Sequence, residues 1–194
     1  MPIKPSDEEE KYFHQREARR REELRREMEA AAAKLAQRER TARAAGTEDM
    51  SLVERLHELG FDGDSVRVLD LVPLVLVAWA DGSVSARERA TVMDAVAQRG
   101  IEPDSRPWLL IASMLEQRPS DGLVREIMQV LGELVGPADA RGRSIVELSA
   151  KVAEASRGLF GLGSRIDAAE RAVIADIAAR FAPGARGEIE GKLR

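Results

Sequence analysis

Asp81 begins the pentapeptide Asp-Gly-Ser-Val-Ser, and Glu88 follows it seven positions later. This spacing matches the second half of an EF-hand loop, in which the fifth residue is acidic, the sixth is Gly and the twelfth is Glu. The first and third loop positions would be Val77 and Trp79, which cannot bind calcium. The sequence therefore excludes a complete EF-hand and predicts at most a weak Ca²⁺ half-site formed by Asp81, the carbonyl of Ser83 and Glu88.

A purely structural role accounts for the same residues without a metal. Ser85 and Glu88 have the spacing of a capping box, in which each side chain accepts a hydrogen bond from the backbone N–H of the other residue. Gly82 supplies the conformational freedom that a tight turn requires. The sequence leaves both roles open: a capped glycine turn and a cation half-site.

The chain lacks the residues on which most catalytic and metal sites depend. It has no Cys and only two His, so zinc-thiolate sites, iron-sulfur clusters and cysteine nucleophiles are excluded. Glu54 and His57 can share one helix face, but a di-iron bundle needs a second such pair. We therefore expect His57 to be a surface histidine. The glycine-rich segment 158–163 follows a helical pattern rather than a strand, so it is not a phosphate loop, and no enzymatic activity is predicted.

An apolar stretch, residues 69–80, leads into the acidic turn. It is too short for a membrane span, which needs about 20 apolar residues, so we expect a buried helix. Pro73 should lie near the start of this helix or kink it, because proline lacks a backbone N–H. Trp79 should be substantially buried, since it closes the apolar face of the helix.

Helical patterns account for the rest of the body, and no segment shows the alternation of a strand. Apolar residues recur at helical spacing in five further segments: residues 51–59, 86–98, 108–115, 123–134 and 141–156. Thr47 or Ser51 is expected to cap the first of them. The predicted fold class is all-α.

A charged segment precedes this body. Residues 7–43 contain no Gly or Pro and are dominated by Glu, Arg and Ala, which is typical of a long helix. Leu24, Met28 and Leu35 have the spacing of a coiled-coil seam, but the seam is not sustained over several heptads. We predict one long helix that makes few contacts with the body.

This pattern divides the chain into a charged N-terminal arm, residues 1–46, and an all-helical domain, residues 47–194. Two roles remain open for the arm. It is either a solvated helix or a helix that binds a partner or pairs with itself, with Tyr12 and Phe13 as its anchor.

The body also contains an internal repeat. Residues 84–90, Val-Ser-Ala-Arg-Glu-Arg-Ala, correspond to residues 166–172, Ile-Asp-Ala-Ala-Glu-Arg-Ala, at a constant offset of 82. In the second copy Gly163 and Ser164 replace the acidic turn. We predict two related helical hairpins; the alternative is two independent helix starts that share a capping pattern.

The segment from Leu71 to Arg89, with its Ala-Asp-Gly turn and following Glu, resembles the tellurite-resistance TerB-like family, as does Phe-Gly-Leu-Gly-Ser-Arg-Ile-Asp at residues 160–167. The resemblance covers roughly residues 64–181 and omits the arm. It implies a helical bundle of two related hairpin units, a non-enzymatic role linked to tellurite and stress resistance, and acidic residues that bind a metal, chiefly calcium.

Charge and composition narrow the partners. The chain carries 34 acidic and 30 basic residues, and 12 of the basic ones lie in the first 46 residues. The body is therefore too acidic to favour binding of nucleic acid. With no Cys and no apolar leader, a cytoplasmic location is expected. The leading hypothesis is a TerB-like module that binds a protein partner, and the alternative is a scaffold or oligomer subunit whose arm docks on another chain.

Overall fold

A computed structural model describes residues 7–136, 139–156 and 168–185 of the chain. Within these ranges the protein is all-α and contains no strand, so the predicted fold class is confirmed. The helices are α1 (Asp7–Ala45), α2 (Met50–Glu58), α3 (Val72–Ala78), α4 (Ala86–Gln98), α5 (Arg106–Glu116), α6 (Asp121–Leu134), α7 (Ala140–Ser156) and α8 (Ala168–Phe181).

The short helix α3 lies at the centre of the bundle. Six of its seven residues are buried, so it has no polar face to turn toward solvent. It packs against α4, α5, α7 and α8, which surround it. An element that is apolar on every side is stable only when other elements enclose it, and this requirement explains the arrangement of the other helices.

A 3₁₀ helix, Ser65–Leu71, precedes α3, so the apolar stretch is not one continuous α-helix. The α-helix starts late, as the sequence allowed, and Pro73 occupies its first turn. The missing N–H of a proline is not needed there, because the first N–H groups of a helix have no intrahelical partner. At the other end, Gly82 adopts a φ of 95° in the turn before α4.

The internal repeat appears in the positions of the buried residues of α4 and α8. Helices α4 and α8 both pack against α3 and α7. The four buried residues of α4 each have a buried counterpart in α8 at the offset of 82, being Glu88, Val92, Ala95 and Val96 in α4 and Glu170, Ile174, Ile177 and Ala178 in α8. Phe181, the fifth buried residue of α8, has no counterpart within α4. The two helices thus present the same face to the core. The residues predicted to form the turn of the second copy, Gly163 and Ser164, lie outside the described residues.

Two details differ from the sequence-based expectations. The N-cap of α2 is Asp49, whose Oδ1 accepts the Ser51 N–H at 2.8 Å, and neither Thr47 nor Ser51 takes that role. Trp79 is partly buried and packs against the core, but it is the residue just after α3 and not part of the helix. Its indole N–H donates to the Met114 carbonyl at 2.9 Å, which fixes the end of α3 to α5.

The closest approach of two helices involves α7 and α8. A Cβ placed on Gly142, in the first turn of α7, would lie only 1.9 Å from the Phe181 carbonyl oxygen. Backbone therefore meets backbone at this point, and only glycine fits. Gly122, in the first turn of α6, is a matched contrast, because a Cβ there would meet nothing within 4 Å.

We predict that Gly142→Ala lowers the free energy of unfolding by about 1–3 kcal/mol or more, as overpacking does. Gly122→Ala should be neutral or stabilising by up to about 1 kcal/mol, because Ala is the better helix former. Urea denaturation followed by circular dichroism measures both free energies of unfolding. Equal stabilities for the two variants would contradict the close approach of α7 and α8.

Candidate functional site

The acidic turn connects α3 to α4 and contains the residues predicted to hold a cation. Asp81 is exposed, and its Oδ1 accepts the Ser83 N–H at 2.9 Å. The carboxylate therefore closes a local turn of the Asx type. Ser83 is also exposed, so this half of the candidate site faces solvent.

Glu88 differs from Asp81, because it is only 2% exposed. Its Oε2 accepts the Ser85 N–H at 2.7 Å, while the Ser85 Oγ accepts the Glu88 N–H at 3.2 Å. The predicted capping box is thus present in full. These hydrogen bonds stabilise the start of α4 and offset the desolvation of a buried carboxylate.

The two carboxylates are each engaged by nearby backbone, one in the turn and the other in the cap. In the parts of the chain that the structure describes, no group of three or more His, Asp or Glu side chains is placed to hold a metal ion. Cation binding by Asp81, Ser83 and Glu88 therefore stays a prediction from the sequence, and the observed geometry accounts for these residues structurally.

The second candidate site is the part of the arm that projects beyond the bundle. Residues 11–37 are exposed throughout, apart from the partly buried Glu22. The arm keeps five large apolar side chains in solvent, with exposed fractions from 55% to 65%: Tyr12, Phe13, Leu24, Met28 and Leu35. Nothing in the described part of the chain covers them.

Four of these side chains form one surface, here called the arm stripe: Phe13, Leu24, Met28 and Leu35. On a helical wheel they fall within a band about 60° wide, whereas Tyr12 lies about 120° from Leu24. The Tyr12 and Phe13 rings meet edge to face, with centroids 6.1 Å apart. Tyr12 and Phe13, which the sequence suggests as the anchor of the arm, are thus both exposed. Phe13 extends the row formed by Leu24, Met28 and Leu35.

Ion pairs within the helix support the arm. Arg25 contacts Glu22 at 2.9 Å and Glu29 at 3.1 Å, and Arg26 contacts Glu22 at 3.1 Å. Hydrogen bonds from these two arginines lower the pKa of Glu22 below its usual value. Each of these exposed pairs contributes little by itself, but together they support the helix along a stretch that has no packed face.

The base of the arm is anchored to the bundle, which the sequence did not indicate. Thr41 is fully buried, and its Oγ1 lies 2.7 Å from the Nε2 of His57 in α2. Arg38 forms an ion pair with Glu54, which also lies in α2, and the paired atoms are 2.7 Å apart. His57 is thus partly buried and bonded to the arm, and the prediction of a plain surface histidine is wrong.

The loop before the 3₁₀ helix also contacts the base of the arm. A Cβ on Gly63 would lie 3.1 Å from the Cβ of Arg40, so the loop backbone runs close beside α1. Neighbouring Asp62 accepts hydrogen bonds from the Ser65 N–H and Oγ. Burial raises the pKa of Asp62, but these hydrogen bonds and the charge of Arg106 outweigh it and hold the pKa below its usual value. The arm therefore leaves the bundle in a fixed direction.

None of the helices in the described ranges is both long and apolar enough to span a membrane. Comparison with protein-family models, with curated proteins and with solved structures gives no significant match. Of the two segments that carry the TerB-like resemblance, the structure describes residues 71–89, and the segment 160–167 lies outside the described residues.

A calcium titration separates the two roles of the acidic turn. A cation site with a Kd of about 10⁻⁴ to 10⁻³ M would raise the melting temperature by several degrees in 10 mM calcium, by an amount that follows RT ln(1 + [L]/Kd). Because both carboxylates accept local N–H groups, we expect the wild type, Asp81→Asn and the control Asp94→Asn to respond equally. A rise that is lost in Asp81→Asn alone would establish the cation site.

Proposed function

We propose that this protein is a non-enzymatic interaction module of TerB-like type, and that the arm is the element by which it docks on a protein partner. The observation that carries the proposal is the arm stripe. Four large apolar side chains remain in solvent along one face of a helix that is attached to a stable bundle.

The proposal follows from what helices of this kind do elsewhere. An amphipathic helix that lies on its own domain buries its apolar face there, whereas the arm stripe belongs to the exposed part of α1 that extends beyond the bundle. Apolar residues at i, i+4 and i+11, as in Leu24, Met28 and Leu35, are the anchors of helix-in-groove and helix-to-helix recognition. The stripe is therefore suited to a partner that supplies a complementary apolar surface.

The anchored base makes the arm an effective docking element. Thr41 and Ala45 are buried in the bundle, and the ion pair between Arg38 and Glu54 adds a second attachment. A helix that is already formed and already oriented loses less conformational entropy on binding than a disordered segment would. The bundle holds the arm in place, and the arm presents the stripe.

The TerB-like part of the proposal rests on the Ala-Asp-Gly turn, the capping box that follows it, and the matching buried residues of α4 and α8. These features agree with a bundle of two related hairpin units. The resemblance would place the protein among factors linked to tellurite and stress resistance. A role in the cytoplasm and the lack of an enzymatic activity belong to the same proposal.

Three charges placed on the stripe test the docking role. Leu24→Glu, Met28→Glu and Leu35→Glu, combined in one variant, should abolish capture of partner proteins from an extract of the source cells. The matched control combines Gln15→Glu, Ala30→Glu and Ala33→Glu. It adds the same charge to exposed positions on the opposite side of the helix and should capture as the wild type does.

Both variants should unfold at the wild-type temperature, because none of the six positions contacts the core. Quantitative mass spectrometry of the captured proteins gives the comparison. If the stripe variant retains every protein that the control retains, the arm stripe is not the docking surface.

A further inference from the structure

The charges and apolar residues of the arm are arranged symmetrically about Leu24, and on this basis we propose that the arm pairs with the arm of a second copy of this chain. The two helices run antiparallel, and Leu24 of each lies at the centre of the pair. This inference rests on the docking role proposed above, and it names the occupant of the arm stripe.

Opposite charges fall at the same level along such a pair. A residue before Leu24 is level with the residue that lies equally far after Leu24 in the second copy. Residues 19–29 read Arg-Arg-Arg-Glu-Glu-Leu-Arg-Arg-Glu-Met-Glu. Four complementary combinations result, namely Arg19 with Glu29, Arg21 with Glu27, Glu22 with Arg26 and Glu23 with Arg25. These residues are level along the pair but do not contact across it, since most of them lie about 100–160° from Leu24 on the helical wheel. They balance the charge along the pair, and the register is set by the apolar residues and by the charges that flank the stripe.

The apolar residues obey the same symmetry. Phe13 and Leu35 are equally far from Leu24, so Phe13 of one copy is level with Leu35 of the other at both ends. Leu24 meets its own counterpart at the centre. Met28 lies on the same side of Leu24 as Arg21, so the aliphatic stem of Arg21 in the second copy, one residue from level, can cover it. The pair therefore covers all four residues of the arm stripe, which a single chain leaves exposed.

One flank of the stripe supplies direct ion pairs between the helices. Arg20 and Glu27 lie on the same side, about 40–60° from Leu24 on the helical wheel. In an antiparallel pair, flanking positions on the same side meet each other. Arg20 therefore approaches Glu27 of the second copy, and the twofold symmetry repeats the contact.

The other flank carries Arg21 and Arg25, whose charges are already compensated within the helix. Arg21 pairs with Glu17 at 3.2 Å, and Arg25 pairs with both Glu22 and Glu29. These local pairs leave little repulsion when the two flanks meet. The stripe is thus bordered by an attractive side and a neutralised side.

The ends of the arm exclude the parallel orientation. The first turn of α1 has the sequence Asp-Glu-Glu-Glu, whereas its last turns carry Arg38, Arg40 and Arg43. An antiparallel pair brings the acidic end of one copy beside the basic end of the other. A parallel pair would bring like charges together at both ends, which opposes association.

Cysteine cross-linking of the full chain tests the register, because the native sequence has no Cys. Facing Cα atoms of helices whose axes lie about 8–10 Å apart are about 5 Å apart, a separation that a disulfide can span. We expect Leu24→Cys to give a covalent dimer on mild oxidation. Phe13→Cys and Leu35→Cys should do so only when mixed with each other, and the opposite-face control Ala33→Cys should form no covalent dimer.

Each other outcome overturns part of the proposal. Homodimers of Phe13→Cys or of Leu35→Cys would show a parallel pair. Absence of the Leu24→Cys dimer would overturn the register. A wild-type chain that sediments as a monomer at every concentration up to the millimolar range would overturn self-pairing itself.

A charge exchange provides a test that needs no cross-link. Arg20→Glu and Glu27→Arg should each weaken dimerisation by about tenfold, because each turns two attractive contacts into repulsive ones. The double variant restores opposite charges and should recover the wild-type dissociation constant in sedimentation equilibrium. Additive losses in the double variant would contradict the contact.

Failure of self-pairing is distinguishable from failure of the docking role. If the wild type is monomeric but the stripe variant still loses proteins that the control variant captures, self-pairing is wrong and docking on a different partner stands. If the stripe variant loses nothing, the docking role itself is wrong.

Discussion

Enclosure of α3 is the constraint on which the rest of this structure depends. Six of its seven residues are buried, so α3 cannot lie at a surface, and neighbours must cover it on every side. Helices α4, α5, α7 and α8 do this, and the backbone contact between Gly142 and Phe181 draws two of them together. Burial of apolar surface supplies the driving force, and the glycine decides how closely the helices that surround α3 can approach each other.

The elements that are specified by neighbouring residues could be predicted from the sequence, and those specified by distant ones could not. The capping box of α4 involves only Ser85 and Glu88, and it forms as expected. The contact between Thr41 and His57 joins residues that are remote in sequence. The spacing of apolar residues along the chain does not predict it. The helical pattern of residues 69–80 does not reveal that α3 ends at Ala78, nor that Trp79 donates a hydrogen bond to the Met114 carbonyl of α5.

The arm and the bundle satisfy their polar and apolar groups in opposite ways. The bundle encloses its apolar residues and leaves most of its charges at the surface. The arm instead pairs its charges within the helix, through Glu17, Glu22 and Glu29, and leaves its apolar residues exposed. A helix stabilised by its own ion pairs does not need a packed face to persist. This division explains how a helix of 39 residues can project from a bundle that holds only its last turns.

Hydrogen bonding at a helix start accounts for the two glutamates that are buried in this chain. A carboxylate is costly to bury unless hydrogen bonds compensate its lost hydration. The start of a helix provides such donors, together with the positive end of the helix dipole. Glu88 uses the Ser85 N–H in this way, and Glu170 is buried at the matching position of α8. The recurrence of a buried Glu in the first turn of both α4 and α8 therefore follows from helix initiation against a common core.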